Sequence, residues 1–378
     1  MNFLLSEEQQ MVGDMVDRVV QEQYAFDARR AALSSDVGWP RDLWLQFGEL
    51  GILGARLAEA SGGTEGSAIV SMLVMQSFGR GLVTVPYVPT IVCAGGLIAR
   101  LGSEAQQREH LPEITQGKRV FAFACAEHQD GNDLTNMRTT AVRRGDSYCI
   151  NGSKTLVMGA PWADWFIVVT RCAEVAGEEA QFGAFIIPAN CKGITTTTLR
   201  TIDGGAASEM QFENVIVDTD SMIGAAGATR AVIEKILDEA TVALCAQACG
   251  AISALLTSTV EYAKSRKQFG RPIGSFQVLQ HKMVDMFIAR EQAASIVHQA
   301  SLCLNADAHT RQRAVSACKV KISQLGTRTA QAAVQIHGGI GITEDVAVSH
   351  YFRLIEVINM QFGDVDAHLR RYSTLLDS

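Results

Sequence analysis

The sequence predicts an α+β protein whose helices and strands are segregated along the chain: a helical N-terminal domain (1–118), a middle β domain (119–223) that reads as a small antiparallel barrel or sandwich, and a C-terminal four-helix bundle (224–378). Two changes of texture carry this reading. Helical periodicity gives way near residue 119 to short runs rich in β-branched and aromatic residues, and it returns after Gly224 and persists. A third observation is negative: no GxGxxG follows a strand and no βαβ units alternate, which disfavours nicotinamide binding on a doubly wound sheet.

The elements follow in order. Ser6 and Gln9 form a capping-box pattern, after which Met11, Val12, Met15, Val16, Val19 and Val20 share one face while Asp14, Asp17 and Arg18 share the other. Pro40 opens a second helix, and Ser103 with Gln106 caps another that ends before Gly117. Residues 82–99 form an uncharged run of bilayer-crossing length, but Pro86, Pro89 and Gly95-Gly96 interrupt it, so it reads as buried core. The runs FAFACAE, SYCING, WFIVVTRC, FGAFIIPA, GITTTTLRTI and EMQFENVIV end at turn residues and read as strands. Segments 227–264, 277–305, 311–336 and 345–376 then supply four long helices.

Composition excludes several classes of function. At 47% hydrophobic and 19% charged, the 378 residues are those of a packed globular chain and not of a disordered one. A net charge of −7 with scattered basic residues argues against nucleic-acid binding, which needs a basic face. The start, MNFLLSEEQQ, lacks the basic and apolar regions of a signal peptide, so the expected location is cytoplasmic, with no membrane partner. Nine cysteines make an odd count without a CxxC pair, and Cys245 and Cys249 lie four apart in a helical pattern; reduced core thiols fit this better than a metal site.

Two stretches stand out chemically. In RKQFGRPIGSFQVLQ (266–280), Arg266, Lys267 and Arg271 crowd around Phe269-Gly270, and Pro272 and Gly274 break the backbone before Gln277. In AAVQIHGGIGIT (332–343), Gly338, Gly339 and Gly341 permit close backbone approach, and Gln335 adds an amide. Singly, a solvated loop and a helix C-cap explain them.

Together, Arg266-x-x-Phe269-Gly270, Phe276-Gln277 and Gln335-x-x-Gly338-Gly339-x-Gly341, in this order on an α–β–α chain, resemble the acyl-CoA dehydrogenase family over essentially the whole length. The overall texture is closest to the small subunit of pimeloyl-CoA dehydrogenase-like heteromeric enzymes. The resemblance implies a middle antiparallel β-barrel and FAD bound across a subunit interface. Arg266 would clamp the pyrophosphate, as a guanidinium can bidentately, with Phe269 and Gln277 along the adenosine end. Gln335, Gly338 and Gly339 would hold the same half of an FAD belonging to the opposing subunit.

The family's activity would then be α,β-dehydrogenation of an acyl-CoA thioester to the trans-2-enoyl-CoA, a step of lipid β-oxidation, with electron-transfer flavoprotein or a similar acceptor. The implied assembly is an α2β2 heterotetramer with a larger subunit, or a homo-oligomer. Two other readings share the scaffold: a non-catalytic partner that completes the FAD site of a larger subunit, and a flavin-dependent oxidase or monooxygenase.

The chain departs from the family pattern at the flavin and at the base. Where the family has Thr-Glu-Pro, this chain has Ala126-Glu127-His128, so only a backbone N–H at Ala126 replaces a hydroxyl; where it has Trp-Ile-Thr, this chain has Leu156-Val157-Met158. Counting from Gln335, the position of the family's catalytic glutamate is Phe362, followed by Gly363 and Asp364. The family's other glutamate position, on the first bundle helix, falls on Ala240, with Glu239 directly before it. Glu239 and then Asp364 are the candidate bases, with a base supplied only by the partner as the third reading. A surface carboxylate would explain Glu239 equally well, and a helix cap would explain Asp364.

Overall fold

The computed structural model describes residues 5–63, 66–128, 134–173, 181–225 and 229–376. Helices α1 (Glu7–Gln23), α2 (Phe26–Ser34), α3 (Arg41–Glu49), α4 (Ala68–Arg80), α5 (Gly96–Leu101) and α6 (Glu104–Thr115) come first. Strands β1 (Phe121–Ala124), β2 (Thr140–Arg144), β3 (Ser147–Met158), β4 (Trp165–Ala173), β5 (Gln181–Pro188), β6 (Ile194–Arg200), β7 (Ala206–Asp218) and β8 (Met222–Ile223) follow. Then come α7 (Thr229–Ser265), the short pair β9 (Lys267–Gln268) and β10 (Arg271–Pro272), α8 (Gln277–Cys303), α9 (Ala308–His337), α10 (Ala347–Met360) and α11 (Val365–Thr374). Both predicted capping boxes form: Ser6 and Gln9 exchange side-chain and backbone bonds at the start of α1, as do Ser103 and Gln106 at α6.

The chain divides into two units. One comprises Met1–Pro40, Ser67–Thr84 and Thr241–Ser378; the other comprises Arg41–Gly66 and Val85–Ala240. In the first unit α4 packs on α1 and α8, and α9 packs on α8, α10 and α11. The backbones of α4 and α7 meet at two glycines: a Cβ on Gly79 would lie 1.9 Å from the Gln247 carbonyl oxygen, and one on Gly250 would lie 2.0 Å from that of Gln76. Only glycine permits that approach. The fourth predicted helical segment is two helices, because Phe362 (φ +53°) and Gly363 (φ +101°) turn the chain between α10 and α11.

In the second unit the strands run β6-β7-β3-β2-β4-β5-β8, with β1 also on β4. This corrects the expected antiparallel barrel: the sheet is open and mixed. β1 and β2 lie end to end along β4 and pair with it in parallel. The edge strand β6 is almost wholly exposed, and its Thr195–Thr198 run suits an extended backbone while leaving the edge polar and unclosed. The sheet's core includes Ala122, Ile150, Val168, Phe185, Met210 and Phe212. Of the apolar run, residues 86–98 are buried except for half-buried Pro89, as expected. α7 is long and apolar enough to cross a bilayer, yet most of that stretch is buried inside the protein. The nine cysteines are free and eight of them are buried.

Candidate active site

In the first unit α7 ends in a two-stranded ribbon. The Arg266 N–H donates to the Tyr262 carbonyl and the Ile273 N–H to the Arg266 carbonyl, each at 2.8 Å. Phe269 at the tip adopts φ +54° and is 90% exposed. Arg271 lies 4.2 Å over the Phe276 ring, which fixes the ribbon on the start of α8, where Gln277 is exposed. The Arg266 side chain is exposed, and no carboxylate among the described residues pairs with it.

The same unit brings the second motif beside the first. The Tyr262 hydroxyl donates to the His337 carbonyl at 3.3 Å, and the two rings stack with centroids 4.3 Å apart. One turn of α7 before Arg266 is thereby joined to the end of α9, where Gln335 is exposed. Gly338 caps α9 with φ +68°, and a Cβ on either Gly338 or Gly339 would meet nothing within 4 Å. The C-cap reading of these glycines therefore holds at Gly338, and both leave open space above the turn.

In the second unit Ala126 is exposed and its carbonyl accepts from the Thr155 N–H at 3.0 Å. Met158 is half-buried in β3, paired with Ala207 of β7. Beneath these residues lies an ion pair missed in the sequence: Lys154 Nζ is 2.8 Å from Glu127 Oε1 and also donates to the Cys125 carbonyl. Glu127 further accepts the N–H groups of Arg138 and Thr139. Burial by itself would raise the Glu127 carboxyl, but Lys154 and these hydrogen bonds hold it below its usual value. Lys154 stands in a strand that also carries Asn151, Ser153 and Thr155, so no local signal in the sequence marks it as buried. The other part of the family-like stretch, Gln129 to Asp133, lies outside the described residues.

The two candidate bases are both engaged. Glu239 is buried in α7, with Oε2 2.7 Å from Arg56 Nη2 and Oε1 2.8 Å from Arg100 Nη2. Both of its oxygens thus serve guanidinium groups. Asp364 is exposed and caps α11, accepting the Ala367 N–H at 2.8 Å. Phe362 sits in the turn between α10 and α11, and two buried cations or bases hold that turn. Lys319 donates to the Ile358 and Gln361 carbonyls, and His368 Nε2 lies 3.0 Å from the Phe362 carbonyl. Burial pushes His368 down to about 4, so the ring is neutral, donating from Nε2 and accepting at Nδ1 from the Ser316 hydroxyl.

Models of the acyl-CoA dehydrogenase N-terminal, middle and C-terminal domains match residues 6–118, 122–215 and 229–372, and the chain belongs to the acyl-CoA dehydrogenase family. It is 30% identical over 360 residues to benzylmalonyl-CoA dehydrogenase of Aromatoleum aromaticum, covering 93% of each chain. It is 29% identical over 378 residues to a probable acyl-CoA dehydrogenase of Bacillus subtilis, covering 98% of each. Among solved structures it superposes on a chain of the ChsE4-ChsE5 complex from Mycobacterium tuberculosis with a TM-score of 0.91 at 26% identity, over 100% of this chain and 99% of that one.

The family is one of oxidoreductases acting on acyl-CoA, with FAD as cofactor. The residues present fit that group. Arg266 is an exposed guanidinium, without a carboxylate partner among the described residues, suited to a pyrophosphate; Phe269 offers a ring that is 90% exposed, and Gly338 and Gly339 leave room for close approach.

Proposed function

We propose that this chain is one subunit of a heteromeric, FAD-dependent acyl-CoA dehydrogenase, and that the base removing the substrate's α-proton comes from the larger partner subunit. The observation that carries this reading is the state of the carboxylates. The position expected of the family's glutamate holds Phe362, the alternative position holds Ala240, Glu239 beside it is tied to Arg56 and Arg100, and Asp364 is spent on a helix cap. With each of its oxygens already held by a guanidinium group, Glu239 has no unengaged oxygen to turn to the α-proton.

In this reading Arg266, Phe269 and Gln277 hold the pyrophosphate and adenosine of one FAD. Gln335, Gly338 and Gly339 meet the adenosine half of an FAD shared with the partner, and Ala126 and Met158 line the flavin side. FAD, when bound, accepts the β-hydrogen of the acyl thioester as a hydride. The chain's own work is to bind and orient the cofactor and to exclude water, while the α-proton passes to the partner's carboxylate and the product is the trans-2-enoyl-CoA. Electrons leave to electron-transfer flavoprotein or a similar acceptor. An apolar stripe on α8 supports a subunit contact there: Val278, Val284, Phe287 and Ile288 are all about half exposed or more.

The test is expression of the chain alone and together with a larger acyl-CoA dehydrogenase subunit. The reading predicts a mixed oligomer that carries FAD and desaturates acyl-CoA. A homo-oligomer of this chain with full turnover would refute it.

A further inference from the structure

β3 and β7 fall out of register at two places, between Ile150 and Gly152 and between Lys154 and Val157, and the second is the one that concerns Glu209. Lys154 faces Met210 and Val157 faces Ser208, so Thr155 and Leu156 together stand opposite the single residue Glu209. Such a two-against-one bulge breaks the ladder and re-aims side chains. Here Leu156 takes φ +47°, a conformation that disfavours a branched residue, and points a side chain 56% exposed outward.

Glu209 occupies the place the ladder leaves open. Its Oε1 accepts from the Thr155 hydroxyl at 2.7 Å and from the Leu156 N–H at 3.3 Å, while Oε2 lies 3.1 Å from His128 Nε2. Because the Thr155 N–H donates to the Ala126 carbonyl, one carboxylate laces together residues 126–128 and 155–158. Those are the two segments read above as facing the flavin.

We propose that Glu209 is a positioning residue for the flavin face: it holds the bulge at Thr155-Leu156 and so sets where Leu156, Met158 and Ala126 stand against the cofactor. The inference rests on the FAD reading, but its first test does not need flavin. Glu209→Ala removes the acceptor of the Leu156 N–H, so hydrogen exchange at that amide rises about tenfold while exchange at Tyr148, in the regular part of β3, stays unchanged. Glu209→Gln keeps a carbonyl acceptor for both donors and restores protection to within about threefold.

In the flavin-loaded assembly, Glu209→Ala shifts the visible flavin band and the reduction potential, and Glu209→Gln returns both toward wild type. Should Glu209→Ala fail to fold, Thr155→Val, which removes one of the three donors without changing shape, is expected to raise Leu156 exchange by roughly threefold. Unchanged Leu156 exchange in these variants overturns the proposed hold on the bulge. Faster exchange with an unmoved flavin band and potential overturns its role toward the cofactor. A wild-type assembly that never takes up FAD removes the FAD reading itself and with it that role, whatever the exchange pattern.

Discussion

Arg56 Nη2 stands 2.7 Å from Glu239 Oε2, with side chains 13% and 2% exposed, and Arg100 takes the other oxygen. The triad is a buried anchor, and removing its only anion leaves two guanidiniums uncompensated. Glu239→Ala is therefore expected to cost about 3 kcal/mol of unfolding free energy, the lower end of the range for a broken buried pair because Arg100 keeps partial access to water. Chemical denaturation measures it. The assembled enzyme with Glu239→Gln should keep kcat within a few-fold; a loss of roughly 10²-fold or more with unaltered stability would make Glu239 the base after all.

Asp364 caps α11 through the Ala367 N–H. Its replacement by alanine should cost about 1 kcal/mol, the usual worth of an N-cap, and Asp364→Asn much less, since asparagine also accepts that bond. Neither change should move the turnover of the assembled enzyme by more than a few-fold. A drop of several orders of magnitude in Asp364→Asn at normal stability would assign proton abstraction to this residue.

Arg266 is exposed and anchors no carboxylate among the described residues, so Arg266→Ala should leave the melting temperature of the flavin-free protein unchanged. A charge-assisted bidentate contact contributes roughly 1.5–3 kcal/mol, which corresponds to about 10- to 150-fold weaker FAD binding. Equilibrium titration with FAD reads this directly, and undiminished affinity would remove Arg266 from the site.

His368 gives the turn at Phe362 a pH dependence. Burial pushes the imidazole down to about 4 in the folded protein, against about 6.5 in an unfolded chain. Between those values the unfolded chain binds a proton that the folded one does not, so stability rises with pH across that window and drops as pH is lowered through it. The contribution is fully present above about pH 6.5 and is lost as pH falls through about 4, with a total of up to about 3 kcal/mol. Denaturation midpoints measured from pH 7 to 4 should slope less in His368→Gln than in the wild type. Parallel curves would show that His368 does not titrate this way.

What could be read from the sequence was local or periodic. The capping boxes at Ser6 and Ser103, the onset of strands after residue 119 and the long helices α7, α8 and α9 all carry signals within a few residues of themselves. The open sheet did not, because β1 and β2 join β4 by parallel pairings between residues that are not neighbours in the chain. The break at Phe362-Gly363 was legible only through Asp364, whose reading as a helix cap holds, although segment 345–376 as a whole read as a single helix. Glu239 was chosen by counting along a motif, and its two arginines lie 183 and 139 residues away. Glu209 and the Lys154 and Glu127 pair were hidden likewise, since a bulge and a buried ion pair exist only once strands are in register.

The central claim is that the chain holds FAD but relies on a partner for its base, and anaerobic mixing with acyl-CoA tests it most directly. The flavin-loaded chain without its partner should keep its oxidised-flavin absorbance when a saturating acyl-CoA is added, whereas the mixed assembly should bleach within the first turnover. A missing base ordinarily slows the step by roughly 10²–10⁴-fold, so the two traces should separate clearly. Prompt bleaching of the flavin by this chain alone would contradict the account.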